Sequence, residues 1–195
     1  MASLAQTSWS ILDLSSLGAP GRRQAAQVLV AAFAADYPAA WPTLADGLAE
    51  VEEFFAEGRL ARAALGEGDR LLGWIGAISA YDGHAWELHP LAVHPDFQGR
   101  GIGTALVRDL EEQVRARGAT TLYLGSDDET DTTSLGGVDL YPDVLTKLAA
   151  IRNLGRHPFT FYQKLGYSVV GVLPDANGFG RPDIFMAKRI GDKAR

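Results

Sequence analysis

"HPLAVHPDFQGRGIGTALV", residues 89–107, joins an apolar run to an amphipathic one through three glycines in five positions, Gly99, Gly101 and Gly103. A strand, a glycine loop and a helix in that order leave several backbone N–H groups pointing off a helix N-terminus. That arrangement is an anion site suited to a pyrophosphate. Two familiar ligand loops do not fit it. A dinucleotide fingerprint starting at Gly99 needs a small residue at 104, which is Thr104; one starting at Gly101 needs it at 106, which is Leu106. A nucleotide P-loop needs Lys-Ser or Lys-Thr after the glycines, and neither follows. G-x-G alone leaves two readings open: an anion cradle, or a tight turn that needs positive φ and binds nothing.

The pattern extends outward from the loop in both directions. Ile102, Leu106, Leu110 and Val114 recur at i, i+4, so a helix runs from about Gly103 to Arg117 and stops at Gly118. Its outer face pairs Arg108 with Glu112 and Glu111 with Arg115. Upstream, "SWSILDLS" (8–15) reads as a first strand and "RRQAAQVLVAAFAAD" (22–36) as an Ala-rich helix after Pro20 and Gly21. Pro42 opens a second helix, "TLADGLAEVEEFFAEG" (43–58). "RLARAAL" (59–65) and "LLGWIGAIS" (71–79) form a hairpin, and "WELHPLAV" (86–93) is the fourth strand. Downstream, "TTLYLGS" (120–126) is apolar enough for a strand buried on both faces. Helical stretches at 140–154 and 157–166 and strands at 167–173 and 183–190 complete the chain. The order β-αα-βββ-α-β-α-ββ combines hairpins with one βαβ unit, which makes an α/β fold with a mixed sheet and helices on its faces. No repeat or linker divides it, so a single domain over 1–195 is expected.

Composition narrows the function. Hydrophobic residues make up 47% and charged residues 22% of 195, the mix of a soluble globular protein. There is no cysteine, which excludes disulfides, thiolate metal sites and a cysteine nucleophile. The N-terminus lacks the basic start and apolar core of a secretion signal. "VLVAAFAA" is too short for a membrane span and lies between Arg23 and Asp36, so a cytoplasmic protein without a membrane partner is expected. The net charge of −6 and the lack of a dense Lys/Arg cluster argue against nucleic acid and favour cationic small molecules. No residues have metal-ligand spacing, so no metal is expected.

Gln98-Gly99-Arg100-Gly101-Ile102-Gly103 matches the Q/R-x-x-G-x-G/A signature of the GCN5-related N-acetyltransferases, in the right context of strand before and helix after. The chain therefore resembles that family. The resemblance implies its α/β fold, with a mixed central sheet, helices on both faces and splayed fourth and fifth strands. It also implies acetyl-coenzyme A as cosubstrate, held by Leu91, Val93, Gln98, Gly99, Arg100, Gly101, Ile102, Gly103, Thr104 and Tyr162. A narrower resemblance runs from Leu71 onward. "GWIGAISAY", "WELHPLAV", "LYLGSDDE" and "HPFTFYQKLGYSVVGVLPDANGFGRPDIFMAK" are similar to aminoglycoside 6'-N-acetyltransferases of the chromosomal enterococcal and Acinetobacter type. That similarity implies a polycationic aminoglycoside acceptor acetylated at its 6'-amine, resistance to the drug, and a homodimer. Two alternatives share the cofactor loop: an N-acetyltransferase for a protein N-terminus, lysine or polyamine, and a non-catalytic acyl-coenzyme A binding module.

Acetyl transfer to an amine requires removal of a proton, stabilisation of an oxyanion and departure of a thiolate. On "WELHPLAV", period-two alternation puts Glu87, His89 and Leu91 on one face and Trp86 and Leu88 on the other. Pro90 has no N–H and cannot sit in an ordinary ladder, so a bulge or splayed edge is expected there. Glu87 is the first candidate to orient the amine or take its proton; otherwise it is a solvated carboxylate at a strand edge. His89 ranks second, against a structural hydrogen-bonding role. The resemblance implies an oxyanion donor at the backbone N–H of Leu91 and a thiol-side role for Tyr162. The other reading of Tyr162 is packing, with Phe161 as the core member of that pair. Asp127, Asp128, Glu129 and Asp131 after the fifth strand, together with Asp183, suit a polyamine sugar, and Tyr81 suits a wall of the acceptor pocket.

Overall fold

Alternating side chains along the strands of the N-terminal half present one set of residues to each flanking helix. The computed structural model describes residues 9–191, and the chain divides after Gly118 into two units. The first holds β1 (Ser10–Asp13), α1 (Gly18–Phe33), α2 (Leu44–Glu53), β2 (Arg59–Leu65), β3 (Leu71–Ala80), β4 (Ala85–Val93) and α3 (Ile102–Arg115). Ser8, the first residue of the expected β1, lies outside the described residues. The four strands pair antiparallel in chain order. Ala63 faces Trp74 in register, and Arg62 faces Ile75. Trp74 is wholly buried and donates its indole N–H to Ala25 O of α1 at 3.0 Å. Arg62 points the other way and grips Asp109 of α3 through Nε and Nη2, at 2.6 and 3.2 Å. Helices α1 and α3 therefore cover opposite faces, and β3 is buried from Leu71 through Ala77.

Helix α2 is shorter than expected. Its N-terminus is set by a capping box, in which Asp46 N–H donates to Thr43 Oγ1 and Thr43 N–H to Asp46 Oδ2. It ends at Glu53 instead of continuing to Gly58. Helix α3 buries Ile102, Leu106, Leu110 and Val114 as the spacing requires, but Val107 and Glu111 are buried too. Glu111 is thus not on the outer face. It falls on the Val107–Val114 side of an apolar stripe wider than one row.

The second unit holds β5 (Thr121–Asp127), α4 (Val144–Ala149), α5 (Phe159–Lys164), β6 (Ser168–Leu173) and β7 (Asp183–Arg189). β7 lies between β5 and β6 and runs antiparallel to both. Strand β5 is not buried on both faces. Leu122, Leu124 and Ser126 are buried while Thr121, Tyr123 and Asp127 are half-buried and Gly125 exposed. Threonine and tyrosine suit a half-covered face as well as a closed one, so composition alone misread it. Of the two expected helical stretches only single short helices form. On α5 the three-residue spacing buries Phe159 and Tyr162, and Phe161 lies partly out of that stripe rather than in the core.

The feature that shapes the first unit's site is an irregularity. Ile75 pairs with Leu91 and Ala77 with Leu88, three steps on β4 against two on β3, so β4 bulges at His89–Pro90 opposite Gly76. This is where Pro90 led us to expect it, and the His89–Pro90 peptide is cis. A Cβ on Gly76 would land on the Phe54 ring and the His89 carbonyl oxygen. Gly76→Ala should therefore cost about 1–3 kcal/mol by overpacking, read as a lower urea midpoint. An unchanged midpoint would mean that the bulge does not depend on the missing side chain.

Candidate functional site

In the first unit, β4 carries the expected faces only up to the bulge. Trp86 and Leu88 are buried, and Glu87 and His89 are half-exposed. Leu91 is half-exposed too but does not share the Glu87 face. It pairs with Ile75 and Leu88 with Ala77, two residues apart on β3, so the extra residue of the bulge puts Leu91 on the side of Leu88. Tyr81, just before the strand, is 77% exposed. Beyond Val93 the chain makes a short turn braced by its own side chains. Gln98 Nε2 donates to Val93 O at 3.1 Å, and Arg100 Nη2 to Asp96 O at 2.9 Å. The Phe97 ring lies 4.5 Å from the Arg70 guanidinium.

Side-chain bracing leaves the glycine backbone open. Gly99 and Gly101 have φ of +73° and +85°, and a Cβ on either would meet nothing within 4 Å. Their identity is thus required by conformation, and the space in front of them is empty enough for a ligand to approach the backbone. The helix bond from Ala105 N–H to Gly101 O precedes any other such bond in α3, so the amides of Ile102, Gly103 and Thr104 point off its N-terminal end. Fourteen residues of helix stand behind them with their dipole aligned. The donor set fits a pyrophosphate.

Two residues absent from the sequence reading join this face. Glu50 of α2 places Oε1 3.5 Å from His89 Nε2, and its Oε2 accepts the Trp41 indole N–H at 3.2 Å. The Trp41 and His89 rings are 6.0 Å apart. The His89 contact, opposed by burial and aided by Trp41 and Arg59, holds the Glu50 carboxyl below the usual range. A signal was present in the sequence: Glu50 falls between buried Gly47 and Phe54 at helical spacing, on the inward side of α2.

The second unit is described by itself. Tyr162 is buried, and burial pushes its phenol well above the ordinary tyrosine range, which keeps it protonated. Its ring contacts those of Phe161 and Tyr167 at 5.0 and 5.7 Å. Asp127 and Asp183 are register partners across β5 and β7, and Asp127 Oδ1 accepts from Asn177 Nδ2 at 2.5 Å. Glu129 is half-buried. Asp128 is fully buried and its oxygens accept from Thr132 N–H, Thr132 Oγ1–H and Thr133 N–H at 2.8–3.0 Å. It closes its own loop. An open pocket of about 530 Å³ lies nearby in the same unit, lined by Asp139, Tyr141, Asp175 and Phe179. None of these four was singled out from sequence, and both carboxylates accept from backbone amides, of Tyr141 and Gly180. Among the described residues no cluster has a metal-binding donor set, and no helix is long and apolar enough to cross a membrane.

Residues 26–141 match the model of the acetyltransferase (GNAT) family. An acetyltransferase of Pectobacterium atrosepticum is 41% identical over 58 residues, and one of Photorhabdus laumondii 42% over 60. The matches cover 29% and 30% of this chain, and the chain spans only about two-fifths of either relative. A crystal structure of an aminoglycoside 6'-N-acetyltransferase complexed with coenzyme A superposes with a TM-score of 0.85 at 41% identity, covering 95% of this chain and 99% of that one. The enzyme of that name from Enterococcus faecium gives 0.84 at 41% identity, with the same coverage. The fold is that of the GCN5-related N-acetyltransferases. The chain belongs to the GNAT acetyltransferase family.

Asp128 generates a prediction about stability. Burial alone would raise its carboxyl, and the bonds from Thr133 and Thr132 outweigh that and hold it below the ordinary range. A folded value lower than the unfolded one stabilises above the unfolded pKa near 4 and is lost as pH falls through the folded value. Asp128→Asn should therefore cost roughly 1–3 kcal/mol at pH 7, and its gap to the wild type should close as denaturation is repeated toward pH 3. A gap independent of pH would assign the cost to packing instead.

Proposed function

We propose that this protein is a single-domain enzyme that transfers the acetyl group of acetyl-coenzyme A to the 6'-amine of an aminoglycoside, conferring resistance, and that it acts as a cytoplasmic homodimer. The observation that carries the acceptor assignment is 41% identity, over nearly the whole chain, to two structures of enzymes with that activity in their names. The cradle at Gln98–Thr104 supports the cosubstrate, since its open glycines and helix-end amides suit a pyrophosphate. Leu91 and Val93, on the edge of β4 that follows the bulge, are proposed to hold the pantetheine arm by backbone hydrogen bonds.

The chemistry assigned to the chain's own groups is limited. Glu87 takes a proton from the acceptor ammonium, directly or through water, and leaves a nucleophilic amine. The amide of Leu91 donates to the oxygen that gains charge when the amine attacks the thioester carbonyl. Tyr162 donates a hydrogen bond that fixes the departing thiolate, a role consistent with a phenol that burial keeps protonated, and the thiolate takes its proton from solvent. Tyr81 and His89 contact the acceptor. Asp127, Glu129 and Asp183 select a polycation by charge, while Asp128 is excluded from that set because its oxygens serve loop donors.

Thiol release tests the reading. Purified protein with acetyl-coenzyme A should release free thiol with kanamycin, which has a 6'-amine, and not with paromomycin, which has a 6'-hydroxyl. Glu87→Gln should lower kcat by about 10²-fold with the acetyl-coenzyme A KM unchanged. Faster turnover with a basic peptide or spermidine than with any aminoglycoside would reassign the acceptor. Tight coenzyme binding without turnover of any amine would make the chain a binding module.

A further inference from the structure

His89 has two nitrogens, and the fold treats them differently. Nε2 faces Glu50 at 3.5 Å. Nδ1 has no intramolecular hydrogen bond among the described residues, and the side chain is 43% exposed against 16% for Glu50. An ionised carboxylate only accepts, so Nε2 must carry the hydrogen and the lone pair of a neutral imidazole sits on Nδ1. Glu50 is itself held by donors at both oxygens, His89 at Oε1 and Trp41 at Oε2. Trp41 is in turn packed edge-on against Phe33 of α1, with ring centroids 4.8 Å apart.

We propose that Glu50 is a positioning residue that turns Nε2 of His89 inward, so that Nδ1 is presented as a hydrogen-bond acceptor to the substrate ammonium beside Glu87. This rests on the acetyl-transfer reading above and adds to it a residue from α2 that touches no substrate. The charged groups around the imidazole are Glu50, Glu87 two residues back on the same face, and Arg59 of β2. Arg59 acts on Glu50 from a distance and pairs with Glu53 at 3.1 Å. A neutral His89 accepts from an ammonium. A protonated one has donors at both nitrogens and repels it. Glu50 fixes the orientation of the ring by accepting at Nε2.

The test uses the full-length protein in two measurements. Nitrogen NMR of the His89 ring at pH 8, assigned by loss of its signal in His89→Asn, should show the Nε2–H tautomer in the wild type and a mixture of both tautomers in Glu50→Gln. Steady-state kinetics with kanamycin at pH 8 should show KM for the drug raised about tenfold in Glu50→Gln, with the acetyl-coenzyme A KM unchanged and kcat within about threefold. Loss of the single tautomer should accompany the rise in kanamycin KM, a coupling that a merely structural role would not produce. Glu50→Gln in a His89→Asn background should add nothing. If Glu50→Gln fails to fold, Trp41→Phe carries the kinetic arm, since it frees Glu50 Oε2 while retaining its charge, and the drug KM should again rise. An unchanged tautomer in Glu50→Gln overturns the pairing. A changed tautomer with unchanged kanamycin KM overturns the positioning role. A wild type that releases no thiol with kanamycin, whatever its tautomer, overturns the acceptor reading and this role with it, and is told apart from the other failures by the wild type alone.

Discussion

The bulge that shapes β4 in the first unit depends on Gly76 lacking a side chain. Its absence lets the Phe54 ring and the His89 carbonyl share the space where a Cβ would stand. The extra residue in β4 is accommodated there, and the strand resumes pairing at Leu91. Without the bulge, the register beyond it would shift by one and every side chain from Leu91 onward would change face. The extra residue leaves Glu87 on one face and carries Leu91, the partner of Ile75, to the face of Leu88, the partner of Ala77. Phe54 also anchors the end of α2, so the same contact locates the helix that carries Glu50.

The glycine loop applies a second constraint of a different kind. Nothing crowds Gly99 or Gly101; positive φ alone excludes other residues. The turn is tied at its base by Gln98 and Arg100, whose side chains bond to backbone carbonyls of Val93 and Asp96. Rigid base and bare tip together suit a site that must present amides without reorganising when an anion arrives.

Much of this was legible in the sequence because it is local. Alternation in "WELHPLAV" separates Trp86 and Leu88 from Glu87 and His89, and Pro90 announces the bulge by its missing N–H. What failed depended on tertiary surroundings. Glu111 is buried because α3 lies under two rows of apolar contacts, a width that one row of leucines does not reveal. Asp128 in an acidic run looks solvated, yet the loop folds back so that Thr132 and Thr133 enclose it. Phe161 and Tyr162 are neighbours of equal apolar promise, and only the docking of α5 chooses Tyr162. The pairing of Glu50 with His89 spans 39 residues between a helix and a strand, and no short-range pattern encodes such a distance.

The central claim is that the amides of the glycine loop receive the pyrophosphate of the cosubstrate. Amide hydrogen exchange of the full-length protein, with and without coenzyme A, addresses it residue by residue. The account predicts that slowing on addition of coenzyme A is concentrated at Gly99 through Thr104, whose N–H groups are at the open end of α3. Protection elsewhere, with residues 98–104 exchanging at the free-protein rate under saturating coenzyme A, would contradict it.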